Sequence, residues 1–166
     1  GVWVVGFDSE ELLQASAELG APALLLPGES QRLAEVLSNE LPGRDAAQTL
    51  ALTGASGGLG VSSLAVALAT RAAETGLRSV AVELASCGGG LDLLFGAETQ
   101  EGMTWEELRH AVGEIGDLTP HLVSAERVSV LALGRPHGDS PDEAALSAVL
   151  RSLERSHDMV VVDLGD

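Results

Sequence analysis

The chain has 166 residues, with nine Arg, no Lys and 25 acidic residues, and its formal charge of −16 disfavours charge-driven binding to nucleic acid phosphates or anionic membranes. Hydrophobic residues make up 45% and aromatic ones 2%, which suits one domain and a fragment of a second around a core of Leu, Val and Ala. The longest apolar runs, such as Ala21 to Leu26 and Met159 to Val162, fall far short of the roughly 20 residues a membrane-spanning helix needs. A lone cysteine, Cys87, leaves no internal disulfide framework and too few thiols for a Cys-rich zinc site, which fits a reducing cytosol.

In chain order, Val2 to Val5 reads as a short strand. Asp8-Ser9-Glu10-Glu11 then carries a helix cap and an acid in the first turn, ahead of an apolar-periodic stretch that runs to Leu19 and stops at Gly20. Ala23 to Leu26 is a second strand closed by Pro27-Gly28, and Leu33, Val36, Leu37 and Leu41 line one side of a second helix. Two β-α units over residues 1–41 make half a domain, and residues 42–48, Pro-Gly-Arg-Asp-Ala-Ala-Gln, read as a linker.

From Thr49 the pattern restarts. It gives a strand to Thr53, a glycine-rich loop over Gly54 to Gly60, a helix from about Ser62 to Glu74, a stop at Gly76 and a strand from Ser79 to Leu84. Gly88-Gly89-Gly90 follows that strand. Thr104-x-x-Glu107 predicts a capping box and a helix to about Val112, Val128 to Leu133 a strand, and Ser140-Pro141-Asp142-Glu143 a helix with Pro at its first position. The last strand, Met159 to Val162, delivers Asp163 to the carboxyl end of a sheet. Strands alternating with helices predict a parallel sheet covered on both faces, and open α/β folds bind ligands at that end.

The loop Thr53-Gly54-Ala55-Ser56-Gly57-Gly58-Leu59-Gly60-Val61-Ser62-Ser63 puts glycines between a strand and a helix, where backbone N–H groups can approach an anion. Its bland alternative is a tight β-α turn with no ligand. Thr53, Gly54, Gly58 and Gly60 match the short-chain dehydrogenase cofactor loop, but the chain lacks both the Tyr and the Lys that such an enzyme needs to move a proton. Gly54, Ser56 and Gly58 match a hydrolase elbow with Ser56 as nucleophile, yet glycines fill the positions where that helix should begin. Gly54, Gly60 and Ser62 match a P-loop in which Val61 stands where the lysine belongs.

Spacing favours the third reading. Gly60 to Gly76 spans sixteen positions and Gly76 to Glu83 seven; with Val82-Glu83-Leu84-Ala85, the following glycines and the closing run Asp158 to Gly165, this order resembles the deviant P-loop ATPases of the MinD, ParA and CpaE group. The front segment, residues 1–41 with Leu26-Pro27-x-Glu29, looks like the end of the receiver-like domain that precedes the ATPase in CpaE-type proteins, including actinobacterial septum-site-determining and pilus-associated members. The resemblance implies an α/β P-loop-type domain over residues 49–166 that breaks off after a Walker-B-like strand. It also implies spatial regulation of septum placement or of pilus or secretion assembly, in the cytoplasm, through contacts with other proteins, and leaves a homodimer open.

By resemblance, Ser56, Gly57, Gly58, Leu59, Gly60, Val61, Ser62 and Ser63 would bind ATP or ADP, and Ser62 with Asp163 would hold Mg²⁺. The group's two lysines fall on Ser56 and Val61, and its switch carboxylates on Glu83 and Ala85. Phosphoryl transfer rests on positioning and charge neutralisation, so these losses predict weak nucleotide binding and little hydrolysis, with Glu83 and Asp163 as vestigial catalytic groups. A slow working ATPase dimer is the alternative within the fold. Elsewhere, Trp105 is expected in the core, Cys87 inert, and His110, His121, His137, His157, Arg109, Arg127, Arg151 and Arg155 solvated.

Overall fold

The computed structural model describes residues 4–7, 10–26, 28–29, 32, 47–54, 58–85, 89–134 and 140–165. They belong to two units, residues 1–43 and 44–166. In the first, strands β1 (Val4–Phe7) and β2 (Ala23–Leu26) pair in parallel around helix α1 (Glu10–Leu19), with Val4 opposite Ala23 and Phe7 opposite Leu26. Leu24 is fully buried, and the Ser16 hydroxyl donates to the Ala21 carbonyl at 2.6 Å, fixing the turn after α1. The expected helix over Leu33 to Leu41 and most of the linker lie outside the described residues.

The second unit is a five-stranded sheet in the order β3-β7-β4-β6-β5. Its strands are β3 (Gln48–Leu52), β4 (Ser79–Glu83), β5 (Val123–Ala125), β6 (Val128–Leu131) and β7 (Met159–Asp163). Four of them run parallel, and β5 is antiparallel to β6. The helices are α2 (Val61–Glu74), α3 (Leu91–Leu94), α4 (Trp105–Leu108) and α5 (Glu143–Ser156).

Alternation along β4 and β7 sorts the core into two faces. Val80, Val82, Val160 and Val162 point toward Trp105, Leu108, Val149 and Leu153, while Ala81 and Val161 meet Ala65, Ala69 and Ala73 of α2. The small side chains of α2 let that helix lie close on the sheet. Every residue of β4 is buried, as continuous apolar runs in parallel strands require, whereas β3 at the sheet edge is exposed from Gln48 to Ala51 and half-buried at Leu52.

Several sequence expectations shift. Gln48 opens β3 instead of closing the linker, because its N–H donates to the Asp158 carbonyl at 2.9 Å. The capping box at Thr104 and Glu107 forms, yet α4 ends at Leu108 rather than Val112; the Arg109 carbonyl is taken by the Asp142 N–H, and Val112 is exposed. Helix α5 is capped by Asp142, whose carboxylate accepts from the Ala145 N–H at 2.8 Å, so Pro141 precedes the cap and Ser140 is not the cap residue. The β5–β6 hairpin is new. Its turn uses Glu126 and Arg127 at φ 49° and 71°, positions that Asn and Gly usually fill, and so carries little sequence signal. Among the described residues, no helix is long and apolar enough to cross a membrane.

Candidate functional site

The carboxyl ends of β3, β4 and β7 meet the amino end of α2. Along β3 the ladder to β7 continues past the strand, with the Leu164 N–H donating to the Leu52 carbonyl at 2.9 Å and the Gly54 N–H to the Gly165 carbonyl at 2.7 Å. Ala55, Ser56 and Gly57 lie outside the described residues, so two of the expected nucleotide contacts, Ser56 and Gly57, have no assigned geometry. The loop resumes at Gly58, Leu59 and Gly60, all exposed. Gly58 and Gly60 both sit at φ 79°, in the left-handed region, and a Cβ at either would meet nothing within 4 Å. Their backbone conformation, not crowding, is what calls for glycine there.

Gly60 is the residue before α2, with no side-chain cap and no acidic residue in the first turn. The helix therefore directs the N–H groups of Val61, Ser62 and Ser63 and the positive end of its dipole toward the loop, uncountered by an acid of its own. Val61 and Ser62 are half-buried and Ser63 exposed.

Glu83 and Asp163 are register partners at the ends of β4 and β7, on the α2 face of the sheet. They are not solvated strand ends, being 4% and 1% exposed. Glu83 Oε2 accepts from the Leu133 N–H at 3.1 Å. Burial pushes the Glu83 carboxyl above the ordinary carboxylate range; backbone N–H groups of Leu133 and Leu91 oppose that rise, and the charges of Asp92 and Asp163 reinforce it. Asp163 Oδ1 accepts from the Gly165 N–H at 3.0 Å, while its Oδ2 is buried with no hydrogen-bond partner among the described residues. Ala85, at the position where the resemblance has a second carboxylate, is buried, and a Cβ built on Gly165 would come within 2.9 Å of its own.

The described arginines with assigned ion pairs hold them elsewhere: Arg32 with Glu29, Arg71 with Glu74, Arg78 with Asp158 and Arg155 with Glu114. Arg71 lies in the last turn of α2, about 15 Å along the helix from the loop. The glycine turn, the open helix end and the unpartnered Asp163 oxygen suit an anion and a hydrated divalent cation. Val61 supplies no charge for the first. Among the described residues, no group of three or more His, Cys, Asp or Glu side chains is placed to hold a metal ion.

His157 departs from expectation. It is 3% exposed, with Nε2 at 3.1 Å from the Ser129 hydroxyl and Nδ1 at 3.1 Å from the Leu153 carbonyl. Burial holds its pKa below the usual histidine value. His110 stays exposed beside Asp142 and His121 is exposed, as expected, and Trp105 is buried in the core. Arg155 is exposed but tied to the Ile115 carbonyl at 2.7 Å. His137 and Cys87 lie outside the described residues.

No family model matches the chain. It is similar to two uncharacterized proteins of Mycobacterium tuberculosis, from strains CDC 1551 / Oshkosh and H37Rv, each 35% identical over 117 residues that cover 69% of this chain and 32% of the relative. The chain thus spans about a third of the length of these curated relatives. Among solved structures, the crystal structure of the chimerical protein CapA2B2 superposes with a TM-score of 0.50 and 17% identity, covering 99% of this chain and 70% of that one. At that identity the likeness speaks for a general α/β fold.

Proposed function

We propose that the chain is a spatial regulator of septum placement or of pilus or secretion assembly, built around a degenerate nucleotide site of the MinD, ParA and CpaE type. The observation that carries this reading is the uncapped end of α2 behind two left-handed glycines, beside the register pair Glu83 and Asp163 and without a described cation. In this reading the backbone from Gly57 to Ser63 receives phosphate and the Ser62 hydroxyl and Asp163 hold Mg²⁺, which would supply charge neutralisation. The missing lysines at positions 56 and 61 lower affinity and turnover together. Each lost charge-assisted contact removes about 1.5–3 kcal/mol, or roughly 10- to 100-fold in binding per lysine. The regulatory role and its protein partners rest on the sequence resemblance alone.

Calorimetry with ATP and Mg²⁺, paired with a phosphate-release assay, tests the site. The expected dissociation constant is in the upper micromolar range or weaker, with turnover at background. Low-micromolar binding, or steady phosphate release that Ser62→Ala abolishes, would establish the working ATPase instead. For the cellular role, a fluorescent fusion that stays diffuse, with septa and pili unchanged on deletion, would overturn the reading.

A further inference from the structure

We propose that the glycine loop before α2 selects a nucleoside diphosphate over the corresponding triphosphate, a selectivity that rests on the nucleotide reading of this site. In a P-loop, backbone N–H groups cradle the α- and β-phosphates, while the lysine reaches the β- and γ-phosphates. This chain keeps the parts that serve the first two phosphates. It lacks the one that serves the third.

The retained parts are backbone. Gly58 and Gly60 sit in left-handed conformations with open space where a Cβ would stand, and Gly60 leads into α2 with no side-chain cap. Fourteen residues of helix stand behind that end, and the first turn carries no acid to answer its own N–H groups. Ser62 brings a hydroxyl for a divalent cation. Val61, half-buried at the position of the lysine, has neither a side-chain donor nor a charge.

Among the described residues of the second unit, no arginine replaces that lysine. Arg71 lies in the last turn of α2 and pairs with Glu74, while Arg78 and Arg127 immediately precede β4 and β6, at the amino ends of strands whose carboxyl ends face the loop. Arg109 closes α4, and Arg151 and Arg155 belong to α5; both helices pack on the other face of the sheet. What stands beside the loop is negative. Asp163 is the register partner of Leu52, and its Oδ1 accepts from the N–H of Gly165, the residue whose carbonyl takes the Gly54 N–H. These bonds hold the carboxylate against the turn that opens the loop. Asp163 is 1% exposed, and its Oδ2 has no hydrogen-bond partner among the described residues. A hydrated divalent cation would satisfy that oxygen, but the carboxylate takes part of its charge. A γ-phosphate then adds negative charge in a poorly solvated setting where no described ammonium or guanidinium meets it.

Calorimetric titrations of the 166-residue chain with ADP, ATP and AMP, each with Mg²⁺ in excess, test the selectivity. ADP should bind about fivefold more tightly than ATP, the effect of one uncompensated charge near a protein surface. AMP, with one phosphate for a cradle that holds two, should bind more weakly than ADP. Val61→Lys should tighten ATP about tenfold and ADP by less, reversing their order. Should Val61→Lys fail to fold, the ratio of ATP to ADP affinity in the unaltered chain decides alone. ATP binding as tightly as ADP or more so, or a Val61→Lys variant that tightens both equally, would overturn the selectivity and leave the nucleotide site standing. AMP matching ADP would assign the affinity to the nucleoside and overturn the selectivity as well. No saturable binding of any of the three would overturn the nucleotide site and the selectivity together.

Discussion

Glu83 and Asp163 are opposite one another in the register of β4 and β7, equally deep in the protein, yet one has a hydrogen-bonded carboxylate oxygen where the other has an orphan. Glu83 Oε2 takes the Leu133 N–H, and Asp163 Oδ2 has no hydrogen-bond partner among the described residues. Burial leaves the Glu83 charge poorly stabilised. A buried oxygen without a donor costs free energy unless something supplies one, which makes Asp163 the end of the pair where a ligand or its cation would be felt.

The first prediction concerns Glu83. Its folded pKa is raised, so the folded state binds more protons than the unfolded one; the stabilisation is complete below about 4.5 and is lost as pH rises through the folded value. Glu83→Gln keeps an acceptor for the Leu133 N–H and removes the charge. It should raise the thermal midpoint at pH 8 by about 3–5 °C, for a gain of about 1 kcal/mol, and leave it unchanged near pH 4. Scanning calorimetry at the two pH values checks this; an equal shift at both would assign the effect to packing.

His157 gives the opposite sign. A histidine whose folded pKa is lowered takes up fewer protons when folded, so stability present near neutrality declines as pH falls below about 6.5. His157→Gln should cost about 1–3 kcal/mol at pH 7 through its lost contacts with Ser129 and Leu153. It should also flatten the decline between pH 6.5 and 5, as urea midpoints across that range would reveal. The combination with Glu83→Gln separates the two opposing contributions.

The glycines at 60 and 102 should respond differently to alanine. At Gly60 the space is open and only the left-handed backbone resists, so Gly60→Ala should cost about 1–2 kcal/mol and Gly60→Asn less. At Gly102 the obstacle is the Val123 backbone, which must move, and Gly102→Ala should cost about 2–3 kcal/mol. Chemical denaturation at constant slope compares them, and equal costs would contradict the geometry.

Trp105 anchors the α4 face with an indole N–H that is buried and has no hydrogen-bond partner among the described residues. Trp105→Phe therefore forfeits packing but no hydrogen bond and should cost about 1–2 kcal/mol, against about 3–5 kcal/mol for Trp105→Ala. Denaturant midpoints distinguish them, and a Phe variant as unstable as the Ala variant would mean that the indole nitrogen matters.

Much of this arrangement is legible in the sequence because it is written in local chemistry. The apolar runs of β4 and β7, the Thr104 box and the glycines before α2 each announce themselves within a few residues. What escapes is set by distant partners. Glu83 looks like a strand-end acid until Leu133, fifty positions on, reaches its carboxylate, and His157 looks like a helix-end residue until Ser129 covers it. Arg109 ends α4 early because Asp142 claims its carbonyl, and no local pattern announces that bond.

The uneven burial of the sheet sets an order of opening. The amides of β4, enclosed on both faces and paired on both edges, should be among the last to exchange with deuterium, and those of β3, paired along β7 and open on its faces, among the first. The glycine turn is therefore carried by the most exposed strand of its sheet. Any ligand gripped there would be felt first along the strand that carries the turn, as slowed exchange from Gln48 to Leu52, before it registered in the core.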